Sequence, residues 1–141
     1  MTKKEKKTPL SLTIEVDGRE VRFRSTAGFP RLYMAYTGRD IFKDMARLQT
    51  RYEKAVKAKS MDGLGTEEAE AARKEAMFEA VELSMFEDIA YLMARSGAPD
   101  EVPDNADDWL DGFTTFAIMD IMPQLLGLWQ RGCKTTAKPK N

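Results

Sequence analysis

Histidine is absent from this chain of 141 residues, and cysteine occurs once, as Cys133 near the end. A Ser–His or Cys–His dyad therefore lacks its base, and a zinc site lacks its usual nitrogen and sulfur ligands. One thiol makes no disulfide framework, which fits a reducing compartment. No apolar run reaches membrane-spanning length, and the opening "MTKKEKKTPL" holds no apolar core of signal-peptide length. These absences lead to the expectation of a soluble cytoplasmic protein with no membrane partner. The glycines fall without G-x-G-x-x-G or G-x-x-x-x-G-K spacing, so no phosphate cradle is expected. "DEVPDNADDWLD" offers oxygen ligands but lacks the glycine and closing glutamate of an EF-hand loop. Glu87 with Tyr91, and Asp107 with Asp111, stand at helical neighbour spacing, as coincidence produces in so acidic a chain. The expectation is a protein that is not an enzyme, with no catalytic residue, no cofactor and no metal.

What is present is a split of charge. The formal net charge is −1, yet residues 2–7 carry +3 and residues 131–141 carry +4, leaving about −8 on the body between them. Residues 97–130 are the extreme, with Asp100, Glu101, Asp104, Asp107, Asp108, Asp111 and Asp120 and no basic side chain. Phosphate contacts need clustered Lys and Arg, so nucleic acid is not expected as a partner. The domain reading is a basic tail over 1–9, one domain over 10–130 and a basic disordered tail over 131–141.

Patterning gives the elements. In "LSLTIEVDGREVRFR" Leu10, Leu12, Ile14 and Val16 alternate with polar residues, as do Val21 and Phe23 after Asp17-Gly18, the pair a tight type I′ turn favours. This predicts a β-hairpin whose apolar face must lie on the helices that follow. Pro30 opens a short helix and Gly38 ends it. Asp40 caps a longer one, in which Ile41, Met45, Leu48, Tyr52 and Ala55 or Val56 form one stripe while Arg47, Arg51, Lys54 and Lys57 face water. "AKSMDGLGT" is a loop. Thr66 caps a third long helix whose row Phe78, Val81, Met85, Ile89 and Leu92 makes it the central one, ending at Gly97. Glu79 and Glu82 fall inside its apolar arc, so that arc is not wholly internal. Asn105 caps a short helix, and the last segment either kinks at Pro123 or restarts there. The fold class is mainly α, a small helical domain with an N-terminal β-hairpin (α+β).

Nine methionines, most of them in helical segments, and two tryptophans offer adaptable or adhesive apolar surface. Each is as well suited to filling a core. Residues 106–132, "ADDWLDGFTTFAIMDIMPQLLGLWQRG", combine that surface with carboxylates. Candidate partner-binding residues are Trp109, Leu110, Phe116, Met119, Met122 and Trp129, with Asp107, Asp108 and Asp111 steering a partner that is basic locally.

The order of "IEVDGREVRFRSTAGFPRLYMAYTGRDIFKDMARL", "FEDIAYLMARSG" and "ADDWLDGFTTFAIMDIMPQLLGLW" resembles the tail assembly chaperones of long-tailed bacteriophages and prophages, over roughly residues 12–130. The resemblance is carried by Arg22-Phe23-Arg24, Thr26-Ala27-Gly28, Tyr33, Gly38-Arg39-Asp40-Ile41, Ala90-Tyr91-Leu92-Met93, Trp109-Leu110 and Leu128-Trp129. The glycine-bearing loop at 60–66 departs from it. The resemblance implies a non-enzymatic protein of the infected bacterial cytoplasm, absent from the mature virion. Such a protein coats the phage tape-measure protein, keeps it soluble and helps recruit the tail tube protein. It further implies a longer, ribosomally frameshifted form of the chain as a partner. Pro139-Lys140-Asn141 is compatible with codons CCA AAA AAC, which contain a slippery heptamer. Self-association stays open. The competing expectations are a minor tail or tail-completion protein retained in the virion, a DNA-mimicking inhibitor, and an enzyme with an unrecognised site.

Overall fold

The structure is a computed structural model that describes residues 10–133, with Thr115 and Phe116 described for their backbone only. The tail expected over 1–9, and all but the first three residues of the tail expected over 131–141, lie outside the described residues, as does the Phe116 side chain. In chain order the elements are β1 (Ser11–Val16), β2 (Arg19–Arg24), α1 (Phe29–Thr37), α2 (Ile41–Ala58) and α3 (Thr66–Ala80). Then come α4 (Leu83–Gly97), α5 (Ala106–Leu110), α6 (Thr115–Asp120) and α7 (Met122–Gly132). The protein is thus a small α+β domain, as its patterning predicts.

β1 and β2 pair antiparallel with Val16 opposite Arg19, joined by Asp17 and Gly18 at φ 52° and 79°. Both sit in the left-handed region that a two-residue I′ turn demands. Ile14, Val16 and Phe23 project from one face into the core, and β2 lies along α4. The contact is close enough that a Cβ on Gly97 would collide with the Arg22 carbonyl oxygen. Gly97 therefore does more than end α4; it lets the sheet approach. Replacing it with alanine forces backbone apart, and Gly97→Ala is expected to cost about 1–3 kcal/mol in urea unfolding.

Local signals fix the helix ends. Gly38 at φ 77° closes α1 and its N–H donates to the Met34 carbonyl. The Asp40 carboxylate accepts from the N–H groups of Phe42 and Lys43 at 2.8 and 3.3 Å, and Asn105 Oδ1 accepts from Asp108 N–H at 2.9 Å. Each satisfies a donor that the first turn leaves unpaired. The third cap lies one residue earlier than its sequence reading: Gly65 precedes α3, and its N–H donates to Glu68 Oε1 at 2.9 Å. α7 restarts at Met122 with Pro123 in its first turn, and continues to Gly132, two residues beyond the expected domain end.

One expectation fails. The stripe from Phe78 to Leu92 does not run along one helix, because Val81 and Glu82 are extended (ψ 142° and 120°) and divide α3 from α4. The two halves serve different neighbours. α4 is buried nearly all round, from Met85 to Ala94, at the centre of the core, whereas α3 packs mainly on α2 and buries only Ala76 and Ala80. A straight rod cannot satisfy both. No helix among the described residues is long and apolar enough to cross a membrane.

Candidate interaction surface

Most of the apolar residues expected to grip a partner are core residues instead. Trp109, Met119, Met122 and Trp129 are 7, 8, 3 and 8% exposed. Trp109 stands in an aromatic cluster, with ring centroids 5.0 Å from Phe113, 5.9 Å from Tyr91 and 6.5 Å from Phe23. Trp129 packs between Phe29 and Phe42, at 6.0 and 5.3 Å. Leu110 is half-buried against the same core. Periodicity revealed that this segment has an apolar face, but its own domain covers that face. Asp107, Asp108 and Asp111 are exposed, around the short α5. Of the seven helical methionines, Met85, Met93, Met119 and Met122 are buried and only Met34 is fully on the surface.

The exposed apolar surface lies elsewhere. Phe42 and Phe78 are 57 and 50% exposed, with Leu32, Tyr36, Leu64 and Leu83 less so. A cleft of about 880 Å³ runs between α3 and the α6–α7 junction, with Tyr52 of α2 at its edge. Its apolar lining comes from Tyr52, Ala71, Met77, Phe78, Met119, Met122 and Pro123. Met119 and Met122 thus keep an edge toward this cleft. Charged side chains frame the cleft: Glu70, Arg73 and Glu75 of α3, and Lys74 of α3, which reaches Asp120 of α6 at 3.7 Å. The shape suits an apolar helix or strap, held by dispersion and rimmed by mixed charge.

Ion pairs hold the walls of this region. Glu82, at the break between α3 and α4, is gripped by two arginines of α2: Arg47 at 3.2 Å and Arg51 at 2.9 Å. Lys59 reaches Glu75 and Glu79 of α3, each at 3.0 Å, and those carboxylates raise its pKa above the ordinary lysine value. Arg47 and Arg51 are therefore tethers for the break after α3 as well as solvated charges. Glu79 and Glu82, which stood oddly inside an apolar arc, are explained by the same contacts.

A polar knot that sequence reading missed joins α1, α2 and α4. Asp44, its side chain 4% exposed, accepts from the Tyr33 hydroxyl at 2.7 Å and Arg39 Nε at 2.9 Å, and pairs with Arg47 at 3.2 Å. Arg39 also reaches Asp88 of α4 at 3.5 Å. Burial opposes the Asp44 charge, but the hydrogen bonds from Tyr33 and Arg39 with the charges of Arg39 and Arg47 outweigh it. They hold its carboxyl below the ordinary aspartate value. Burial, reinforced by Asp44, pushes the Tyr33 phenol well above its usual range. Tyr33 stays protonated and Asp44 ionised, so the knot ties α1, α2 and α4 together. Its one sequence clue is an acidic residue at position 44, one place before Met45 of the apolar stripe of α2.

No protein-family model, curated protein or solved structure matches this chain. Among the described residues, no group of three or more acidic or cysteine side chains is gathered to hold a metal ion. Tyr91, paired with Glu87 by spacing, instead donates its hydroxyl to the Pro103 carbonyl at 2.6 Å.

Proposed function

We propose that this protein is a tail assembly chaperone of a long-tailed phage or prophage. It holds apolar helical stretches of the tape-measure protein until the tail tube encloses them. The observation that carries this reading is the cleft between α3 and the α6–α7 junction, about 880 Å³ and framed by charge. Methionine walls adapt to varied apolar surfaces, and a charged frame keeps the complex in solution. A long helical client with bare apolar stripes is an aggregation hazard that such a surface relieves. The proposal includes recruitment of the tail tube protein, a longer frameshifted form as co-partner, and a site of action in the bacterial cytoplasm.

Coexpression with the tape-measure protein of the same genome tests this directly. The client is expected to move from the insoluble to the soluble fraction and to copurify. A chain carrying Ala71→Glu and Phe78→Ser on the cleft wall is expected to fold normally and to retain about tenfold less client. Client that remains insoluble with both forms of the chain present would refute the chaperone reading. Recovery of the protein from purified virions by mass spectrometry would instead favour a retained minor tail component.

A further inference from the structure

Residues 66–96 contain neither glycine nor proline, and their apolar row is continuous through Val81. Local sequence therefore favours one helix where the structure has two. The bend at Val81–Glu82 is set by tertiary neighbours: α4 is enclosed in the core while α3 lies on α2, where Arg47 and Arg51 hold Glu82 and Lys59 holds Glu75 and Glu79. These bonds are exposed, with the Glu82 side chain 39% accessible, and pairs of this kind contribute little and weaken with salt. The apolar grip of α3 is also slight, since Ala76 and Ala80 are its only buried residues. Against this, straightening would restore helical hydrogen bonding across the break. The bent and straight forms are thus opposed by weak forces on both sides.

α3 also displays what its seat on α2 selects. It offers small apolar residues four apart, with Glu75 and Glu79 matched to Lys59, and the Glu82 that follows it is matched to Arg47 and Arg51. Tyr52 of α2 belongs both to the apolar stripe of that helix and to the cleft edge, so the seat adjoins the cleft. We propose that α3 is a hinged cover on α2, occupying the seat of an acidic, alanine-rich client helix, and that it opens by straightening onto α4. This rests on the reading that the protein holds a helical client, and it specifies which helices displace the cover. Opening widens the cleft at its Phe78 wall and presents the α2 stripe with Arg51 and the following Lys59, while Arg47 keeps its pair with Asp44. The client is then selected by charge as well as by apolar pattern.

The test uses the full chain in a Cys133→Ser background with nitroxide labels at positions 67 and 96. One continuous helix would set these positions about 44 Å apart, and the bend brings them closer. Wild type is expected to give the shorter distance alone. Glu75→Gln, Glu79→Gln and Glu82→Gln together are expected to raise a population near 44 Å and to bind a synthetic peptide of residues 66–82 about tenfold more tightly than wild type does. Adding Arg47→Ala and Arg51→Ala should abolish that peptide binding. Leu83→Pro suits the first position of α4 but not the interior of a straight helix, so it should fold and remove the long distance. An unchanged single distance in the triple variant, or a broad spread without the longer peak, would overturn the cover. So would peptide binding indifferent to the two arginines. If the long distance and peptide binding appear while the tape-measure client stays insoluble, the cover stands and the chaperone reading falls.

Discussion

Replacing Trp109 with alanine is expected to cost about 3–5 kcal/mol in urea or thermal unfolding, a large share of the total stability of a domain this size. Trp109 is the point at which three separate parts of the chain meet. Phe23 comes from β2, Tyr91 from α4 and Phe113 from the turn after α5, all within 6.5 Å between ring centroids. The hairpin is tied to the same place by other means. Arg19 lies 4.3 Å over the Phe113 ring and donates to the Gly112 carbonyl at 2.9 Å, while Asp17 accepts from Thr114 N–H at 2.9 Å. Deleting the indole opens a cavity that these fixed partners cannot close. A residue whose main work is client contact would behave differently, with unfolding unchanged and only client retention reduced. A Trp109→Ala chain as stable as wild type would remove the aromatic cluster from this account.

Asp44→Ala is expected to cost about 2–4 kcal/mol and to change the dependence of stability on pH. The substitution strips the buried Tyr33 hydroxyl of its acceptor and Arg39 of its shortest hydrogen bond. Arg39 and Arg47 are partly solvated and recover some of that loss from water, which keeps the cost below that of a fully enclosed pair. The Asp44 carboxyl is held below its ordinary value in the folded chain. Its contribution is therefore complete above the unfolded pKa of about 3.9 and disappears as pH falls through the lower folded value.

Glu87 and Asp88 act in the opposite sense. Burial raises both, with the neighbouring charges of Asp88 and Asp107 adding to the effect at Glu87. Their ionisation therefore opposes folding, and stability is expected to increase as pH is lowered from neutrality toward their raised values. Wild type should accordingly show a maximum in weak acid and a loss below about pH 4. Asp44→Ala should keep the rise from neutral pH and flatten the acid loss. Urea midpoints measured at neutral pH, in weak acid and below the aspartate range would decide it. An acid limb equally steep in both chains would show that Asp44 has no part in it.

Much of the fold was legible in the residues, and the reasons are local. The Asp17-Gly18 turn, the Gly38 terminus and the Asp40 and Asn105 caps each depend on a few neighbouring positions whose dihedrals or hydrogen bonds allow little else. The candidate surface was less legible. Trp109 and Trp129 have the composition of adhesive residues, but an aromatic on an apolar face looks alike in sequence whether a client or its own domain covers it. Met119 and Met122 were read as partner-binding candidates; both are buried, and only the packing of α3 beside them gives them an edge on a cleft.

By itself the sequence determined the class of the protein, its hairpin and most helix limits, because backbone hydrogen bonding and hydrophobic periodicity act over a few residues. Only the tertiary structure decided the break at Val81–Glu82, the burial of both tryptophans and the knot at Asp44. Those depend on partners brought together from distant positions, as Arg47 meets Glu82 and Tyr33 meets Asp44. The energy of such contacts resides in the meeting, and neither partner announces it alone.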